Sequence, residues 1–557
     1  MIQRRRGYVI TTLAVVAMLV LAGCSFGGGL EASSGGDAGD SLGYAVGGAQ
    51  DVDNFRDNVE AGYLPIRSDV THEGLFYDYY FETGDRDCDE LFCPAYSRAV
   101  TADPLSNETE QYLSVGLNSN LEASEFEREN LNLVVVLDVS GSMDSGMAEY
   151  HYDDESETVP EETKPKMDAA NEATVALLDR LEDDDRFALV TFDDRAETVA
   201  PLERMDERDR DALETEIRSI EADGGTNLES GMDEARELVE PHADDAGYDT
   251  RIVYLTDAMP NAGDTSAGGL EARLEADAER GIHSTFVGVG MDFHSALVEE
   301  ITAVRGANYY AVHSAERFEE RMSEEFEYMV TPMVYDLELT LESEGYEIEE
   351  VYGSPDADEA TGELLSVNTL FPSPTEDGAS KGGVVLLQLN ETGDDPDLEL
   401  TASYEDRDGV RHETSERVVF DDREPEYFET DSVRKAVALS RYATLMENWI
   451  DHERASLAGD DPEAPDGGLE RTDAPDLGEW ERQSADLQVT PPYAERIDAF
   501  RDHFAAEADA IGDDSLEREL ETMATILEAA EEKSGDEAGG EERTDGNERD
   551  AVAPPAD

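Results

Sequence analysis

From Asn132 to about Val330 the chain alternates between short, continuous apolar runs and longer stretches with helical periodicity. Leu133–Leu137, Phe187–Phe192, Ile252–Leu255, Ser284–Val289 and Tyr309–Val312 are apolar almost without a break. Such runs predict strands buried on both faces, because a half-exposed strand would alternate with polar residues. Between them, Met167–Leu181 places Ala170, Ala173, Thr174, Leu177, Leu178 and Leu181 on one face, and Leu228–Val239 does the same with Met232, Ala235 and Val239. Strand and helix in alternation predict an α/β domain over 129–331, a mostly parallel sheet with helices on both faces.

The pattern changes on either side. Met333–Phe420 reads as β: Tyr335–Leu341 alternates with period two, and Val384–Leu389, Leu398–Ala402 and Arg417–Phe420 follow with Gly, Pro and Asp turns between. This predicts an antiparallel β-sandwich over 332–425, completed by strands from an N-terminal region (51–128) such as Gln111–Leu117. The aromatic run Leu75–Phe81 is expected to be buried against this β-domain. Residues 426–533 read as helical: Val433, Ala436, Val437, Leu439, Ala443 and Leu445 mark one helix, and Tyr493–Ala510 and Ser515–Ala530 two more. Residues 534–557 read as a disordered acidic tail.

Charge narrows the function. Of 557 residues, 41 are Lys or Arg and 136 Asp or Glu, for a formal net charge of −95. Such a surface repels nucleic acid and anionic lipid head groups, so polyanionic partners are disfavoured. The acid is spread along the chain and lysine is scarce, which points to adaptation to high salt, where counterions screen self-repulsion, and not to a function.

The N-terminus carries an address. Arg4–Arg6 precede an apolar stretch, Val9–Leu21, that is short for a membrane span. It ends in Leu21-Ala22-Gly23-Cys24, which resembles a lipobox, and Arg5–Val9 resembles a twin-arginine export signal. The resemblance implies a signal peptide over 1–24, lipidation of Cys24, and a body tethered to the extracellular face of the cell membrane through a flexible 25–50 segment. An uncleaved anchor is the alternative. Cys88 and Cys93 remain, and in an oxidising exterior a disulfide between them is expected, with free thiols as the alternative.

Open α/β sheets bind ligands beyond the carboxyl ends of their strands. Three segments are expected to converge there: Asp138-Val-Ser-Gly-Ser142 after the first strand, Gly224-Gly-Thr-Asn227 opening a helix, and Thr256-Asp257 after the third strand. Asp138, Ser140, Ser142, Thr226 and Asp257 offer hard oxygens only, and Mg²⁺ takes six such ligands at about 2.0–2.1 Å. The i, i+2, i+4 spacing lets a turning loop present alternate side chains to one point, and Gly141 is expected to permit the bend. Ligation rich in hydroxyls leaves the ion under-neutralised and able to attract an outside carboxylate.

These residues closely resemble the metal-ion-dependent adhesion site of von Willebrand factor type A (VWA) domains. The resemblance implies a doubly wound, Rossmann-like fold and a divalent cation, Mg²⁺ or else Ca²⁺ or Mn²⁺, held by Asp138, Ser140, Ser142, Thr226 and Asp257, with Asp138 and Asp257 acting partly through water. It also implies a sixth position open to a Glu or Asp of a protein partner. Ala61–Pro65 and Leu75–Phe81 resemble the N-terminal region of a bacterial and archaeal VWA lipoprotein group sometimes labelled Ca-activated-chloride-channel-like. One departure is the long acidic segment between Ser142 and the first helix, Met143–Lys164. It is expected to be a solvated loop, with gating of the site, or lending a carboxylate to the ion, as the alternative.

The expected function is therefore binding of an acidic protein partner through the ion, in adhesion or envelope assembly. A scaffold whose metal is only structural is the alternative. An enzyme is disfavoured: no Gly-x-Ser-x-Gly elbow surrounds Ser140 or Ser142, no nucleotide-binding glycine motif is present, and His283 and His294 flank a strand late in the domain. A pore is excluded by the lack of a second long apolar stretch.

Overall fold

The computed structural model describes residues 43–46 and 52–541, except 84–87, 89, 107, 120–125, 127, 148–163, 244, 258, 292–296, 298–303, 355–356, 374, 377–378, 394–396, 408, 420–422 and 459–484; residues 531–541 are described as helix backbone. Cys24, the segment expected to be a signal peptide, most of the acidic segment after Ser142 and His294 lie outside the described residues.

The apolar runs form a six-stranded sheet. In spatial order its strands are Asn308–Val312, Ile282–Val289, Tyr248–Thr256, Asn130–Asp138, Arg186–Phe192 and Ala196–Arg204. The first five are parallel and the last is antiparallel. Asn130–Asp138 has later strands on both sides, so the winding direction reverses there and a crevice opens at its carboxyl end. Along it Leu131, Leu133, Val135 and Leu137 face a layer that includes the Lys166–Leu178 and Ala315–Ser323 helices. Val134 and Val136 face Leu228–Val239 and Ala267–Ala278. All six side chains are fully buried, each contributing about 1.5–3 kcal/mol. This is the doubly wound α/β fold the apolar pattern predicts. The Ala196–Arg204 edge strand, largely solvent-facing, carries no apolar run and was not expected.

The β-sandwich is also present. One sheet orders Gly43–Val46, Glu363–Ser373, Val334–Glu344, Asp397–Asp406 and Arg411–Val418; the other orders Tyr346–Tyr352, Val384–Glu391, Thr109–Ser119, Phe92–Ala102 and Tyr427–Phe428. The period-two residues Leu337, Leu339 and Leu341 meet Leu113, Val115 and Leu117 in one core. Thr109–Ser119 is the N-terminal strand expected around Gln111–Leu117. Gly43–Val46, read in the sequence as part of a tether, instead pairs with Leu370–Ser373. Cys88 and Cys93 are joined by a disulfide, with Cα atoms 5.7 Å apart.

A third core is helical. Asp431–Ala458, Pro491–Ile511 and Glu517–Glu541 pack with Asp53–Glu60 and His72–Tyr77. The last helix runs to Glu541, into the segment expected to be a disordered tail. Leu75, Phe76, Tyr79 and Phe81 are buried, but their cluster is mainly these helices, with Tyr442, Trp449, Phe500 and Phe504, and only an edge of the β-domain, Ala99, Tyr112, Val384 and Leu386.

Candidate functional site

Five parallel strands end at one edge, and Asp138 and Thr256 are the last residues of neighbouring strands there. Thr256 Oγ1 donates to Asp138 Oδ2 at 2.6 Å, and the Ser140 backbone N–H donates to Asp138 Oδ1 at 2.9 Å. Both carboxylate oxygens are thereby fixed. After Asp138 the chain turns into a short 3₁₀ helix, Gly141–Asp144, and Ser140 Oγ lies 3.0 Å from Ser142 Oγ, so the two hydroxyls meet as the i, i+2 spacing predicts.

The second loop is locked to the first by backbone. The Gly141 N–H donates to Gly224 O at 3.1 Å, and the Asp223 N–H to Val139 O at 2.7 Å. Gly141 does not have a positive φ, so the bend does not depend on it as the sequence suggested; Gly224, at φ 89°, makes the left-handed turn. A Cβ on Gly224 would stand 3.0 Å from Asp193 Cβ, and one on Gly225 would stand 2.7 Å from Asp194 Oδ1. The left-handed turn and the nearness of the Asp193 Cβ call for glycine at 224, whereas at 225 the Asp194 carboxylate could swing aside. Thr226 is oriented by Asn261: its N–H donates to Asn261 Oδ1 at 2.9 Å, and the Asn261 N–H donates to Thr226 O at 3.1 Å. Asn227 then caps the Leu228–Val239 helix, accepting from the Ser230 N–H at 3.1 Å.

The third segment brings Asp257. Its Oδ2 lies 3.3 Å from Lys166 Nζ, and both side chains are fully buried. Burial first, and the charge of Asp257 second, push the Asp138 carboxyl up to about 7, against the hydrogen bonds from Thr256 and Ser140. Two acidic groups out of water and near each other are costly to ionise, and a cation between them would relieve that cost.

All five residues expected at the site lie at this edge and are buried: Asp138 and Asp257 are 0% exposed, Ser140 1%, Thr226 3% and Ser142 6%. The donor set is two carboxylates and three hydroxyls, which suits a small hard cation and no soft one. Among the described residues, no group of three or more His, Cys, Asp or Glu is placed to hold a metal; the hydroxyls are what make this candidate. The sequence places Thr256 at this edge beside Asp257 but gives it no role, and two further supporting residues, Asn261 and Lys166, carry no pattern that would have found them. The ends of the long acidic segment are pinned here, by a Gly146–Pro165 bridge and a Met147 N–H to Lys164 O bond of 3.0 Å.

Residues 133–259 match the von Willebrand factor type A domain, and with the sheet order above this part of the chain is a VWA domain. Over 201 residues the chain is 28% identical to the uncharacterized protein sll0103 of Synechocystis sp., covering 35% of this chain and 42% of that one. Over 181 residues it is 27% identical to inter-alpha-trypsin inhibitor heavy chain H4 of Bos taurus, covering 31% of this chain and 18% of that one. The chain therefore spans less than half the length of these relatives. A solved von Willebrand factor type A protein from Catenulispora acidiphila is 15% identical, covering 75% of this chain and 98% of that one, with a TM-score of 0.39.

Proposed function

We propose that this is a membrane-tethered, extracellular binding protein whose VWA domain holds one divalent cation and uses it to bind an acidic residue of a protein partner. VWA domains typically mediate protein–protein interaction and commonly hold a divalent metal at this motif. The observation that carries the reading is the convergence of Asp138, Ser140, Ser142, Thr226 and Asp257 on one strand edge, with Asp138 fixed at both oxygens. Asp138, Asp257 and the three hydroxyls would hold the ion, which when bound supplies a Lewis-acidic point for a carboxylate. The chain's own residues orient the donors and keep the site dry. Tethering rests on the lipobox-like Leu21–Cys24; among the described residues no helix is long and apolar enough to cross a membrane.

A binding role is favoured over catalysis. Ser140 Oγ is directed at Ser142 Oγ, and His283 sits near the start of its strand, in register with Arg251, while the site lies where the strands end. Burial, with Arg251 and Arg305, pushes His283 down to about 3, which ill suits a general base at neutral pH. The test is a pull-down from cell-surface extract in molar salt with wild type, wild type plus EDTA, and Asp138→Ala. The same proteins are expected to be lost in the last two; equal recovery in all three would defeat ion-mediated recognition.

A further inference from the structure

Lys166 begins the Lys166–Leu178 helix, a position where stability alone would not place it. A lysine there adds positive charge to the positive end of the helix dipole. A buried ammonium is costly unless a carboxylate meets it. The chain has only five lysines and a net charge of −95, so acidic surface is plentiful for each of them. Yet Lys166 is 0% exposed, with Nζ 3.3 Å from Asp257 Oδ2. The fold makes room for it: a Cβ on Gly290 would stand 2.4 Å from Lys166 Cε, and Gly290 is held at φ 92° by its N–H bond to Val312 O, 2.9 Å. The Lys166 N–H donates to Ser145 O at 2.9 Å, which ties the start of the helix to the turn that carries Ser142.

We infer that Lys166 makes the ion-loaded site one charge more positive than the ligand set alone would, and so favours an anionic ligand, a carboxylate, over a neutral one. This rests on the reading that the site holds a divalent cation. Lys166 sets one positive charge against the Asp257 carboxylate, so less negative charge is left to neutralise a bound cation. Ser140, Ser142 and Thr226 bring no charge, so removing Lys166 would leave the loaded site one charge less positive. Buried charges are poorly screened by salt, so the effect persists in concentrated brine where surface attraction does not. Lys166 thus weakens the hold on the ion and strengthens the ion's hold on the ligand. It is a specificity-determining residue that needs no contact with the partner.

The test titrates Mn²⁺, read by electron paramagnetic resonance, into the full chain in molar KCl, for wild type, Lys166→Met, Lys166→Gln, Lys166→Arg and Asp138→Ala. Gln keeps a polar N–H end without the charge, so it carries the test should Met prevent folding. Met and Gln are expected to tighten Mn²⁺ binding by about tenfold or more. They should also weaken acetate binding to the Mn²⁺-loaded protein by about the same factor, with Arg staying near wild type. Mn²⁺ affinity in the folded Met and Gln variants that equals or falls below wild type overturns the inference alone, as does an Arg variant that behaves like Met. No Mn²⁺ binding by wild type, unchanged in Asp138→Ala, overturns the metal-site reading and this inference with it.

Discussion

Thr256 Oγ1 and Asp138 Oδ2 are 2.6 Å apart, a bond between the last residues of two neighbouring parallel strands. It turns the rigidity of the sheet into the orientation of a single carboxylate. Thr256→Val keeps the shape and removes the donor. A hydrogen bond to a charged group is worth about 1.5–3 kcal/mol, so divalent-ion affinity is expected to fall about tenfold or more while the fold persists. Calorimetric titration of the variant checks this; affinity equal to wild type would mean that Asp138 needs no such support.

The helical core has its own critical pair. Arg56 bonds both Glu519 and Asp78, the latter at 2.7 Å, and Tyr79 Oη donates to Glu519 at 2.7 Å, so the Asp53–Glu60 helix is stitched to the last helix. Glu519 is 0% exposed. Glu519→Ala would leave the Arg56 charge buried with less compensation, and is expected to cost about 3–5 kcal/mol in denaturant melts. The neighbouring exposed change Glu517→Ala should stay within about 0.5 kcal/mol.

Two acids predict opposite responses to pH. Burial, then Asp53 and Glu60, push Asp57 up to about 7. Its folded form holds a proton that the unfolded chain gives up, so this group costs stability as pH rises from about 4 to 7. Asp57→Asn should therefore gain on wild type across that window and keep the gain above it, read as a difference in melting temperature. Glu519 is the converse: burial raises it, but Arg56 and the hydrogen bonds outweigh that and hold it below the usual range. Its contribution is present at neutral pH and is lost as pH falls through the acid range.

Gly290 links the sheet to Lys166. An alanine there meets Lys166 Cε and adopts φ 92°, a conformation costly for a residue with a side chain. Gly290→Ala is expected to destabilise the VWA domain by about 1–3 kcal/mol in chemical denaturation. A variant as stable as wild type would show that Lys166 can sit elsewhere.

What could be read from the sequence follows from what leaves a local pattern. Leu133–Leu137 reads as a central strand because burial on both faces demands unbroken apolarity, and the site residues are legible because they follow strand ends at short, fixed spacings. Ala196–Arg204 escaped because an edge strand facing solvent resembles a loop in composition. Gly43–Val46 escaped because its pairing with Leu370–Ser373 is set by a partner over 300 residues away, not by its own pattern. The burial of Leu75–Phe81 was legible, but its choice of the Asp431–Ala458 helix over the β-domain is a tertiary outcome with no local signal. Lys166 escaped for the opposite reason: a lysine at a helix start reads as surface, and only the gap over Gly290 shows why it is not.

Partner binding as proposed requires that the Asp138 edge hold one divalent cation. Calorimetric titration of Mg²⁺ into EDTA-stripped full-length protein in molar KCl tests it most directly, with Asp138→Ala alongside. A single saturable site is expected in wild type and none in the variant. No saturable binding in wild type, or the same isotherm in both proteins, would contradict it.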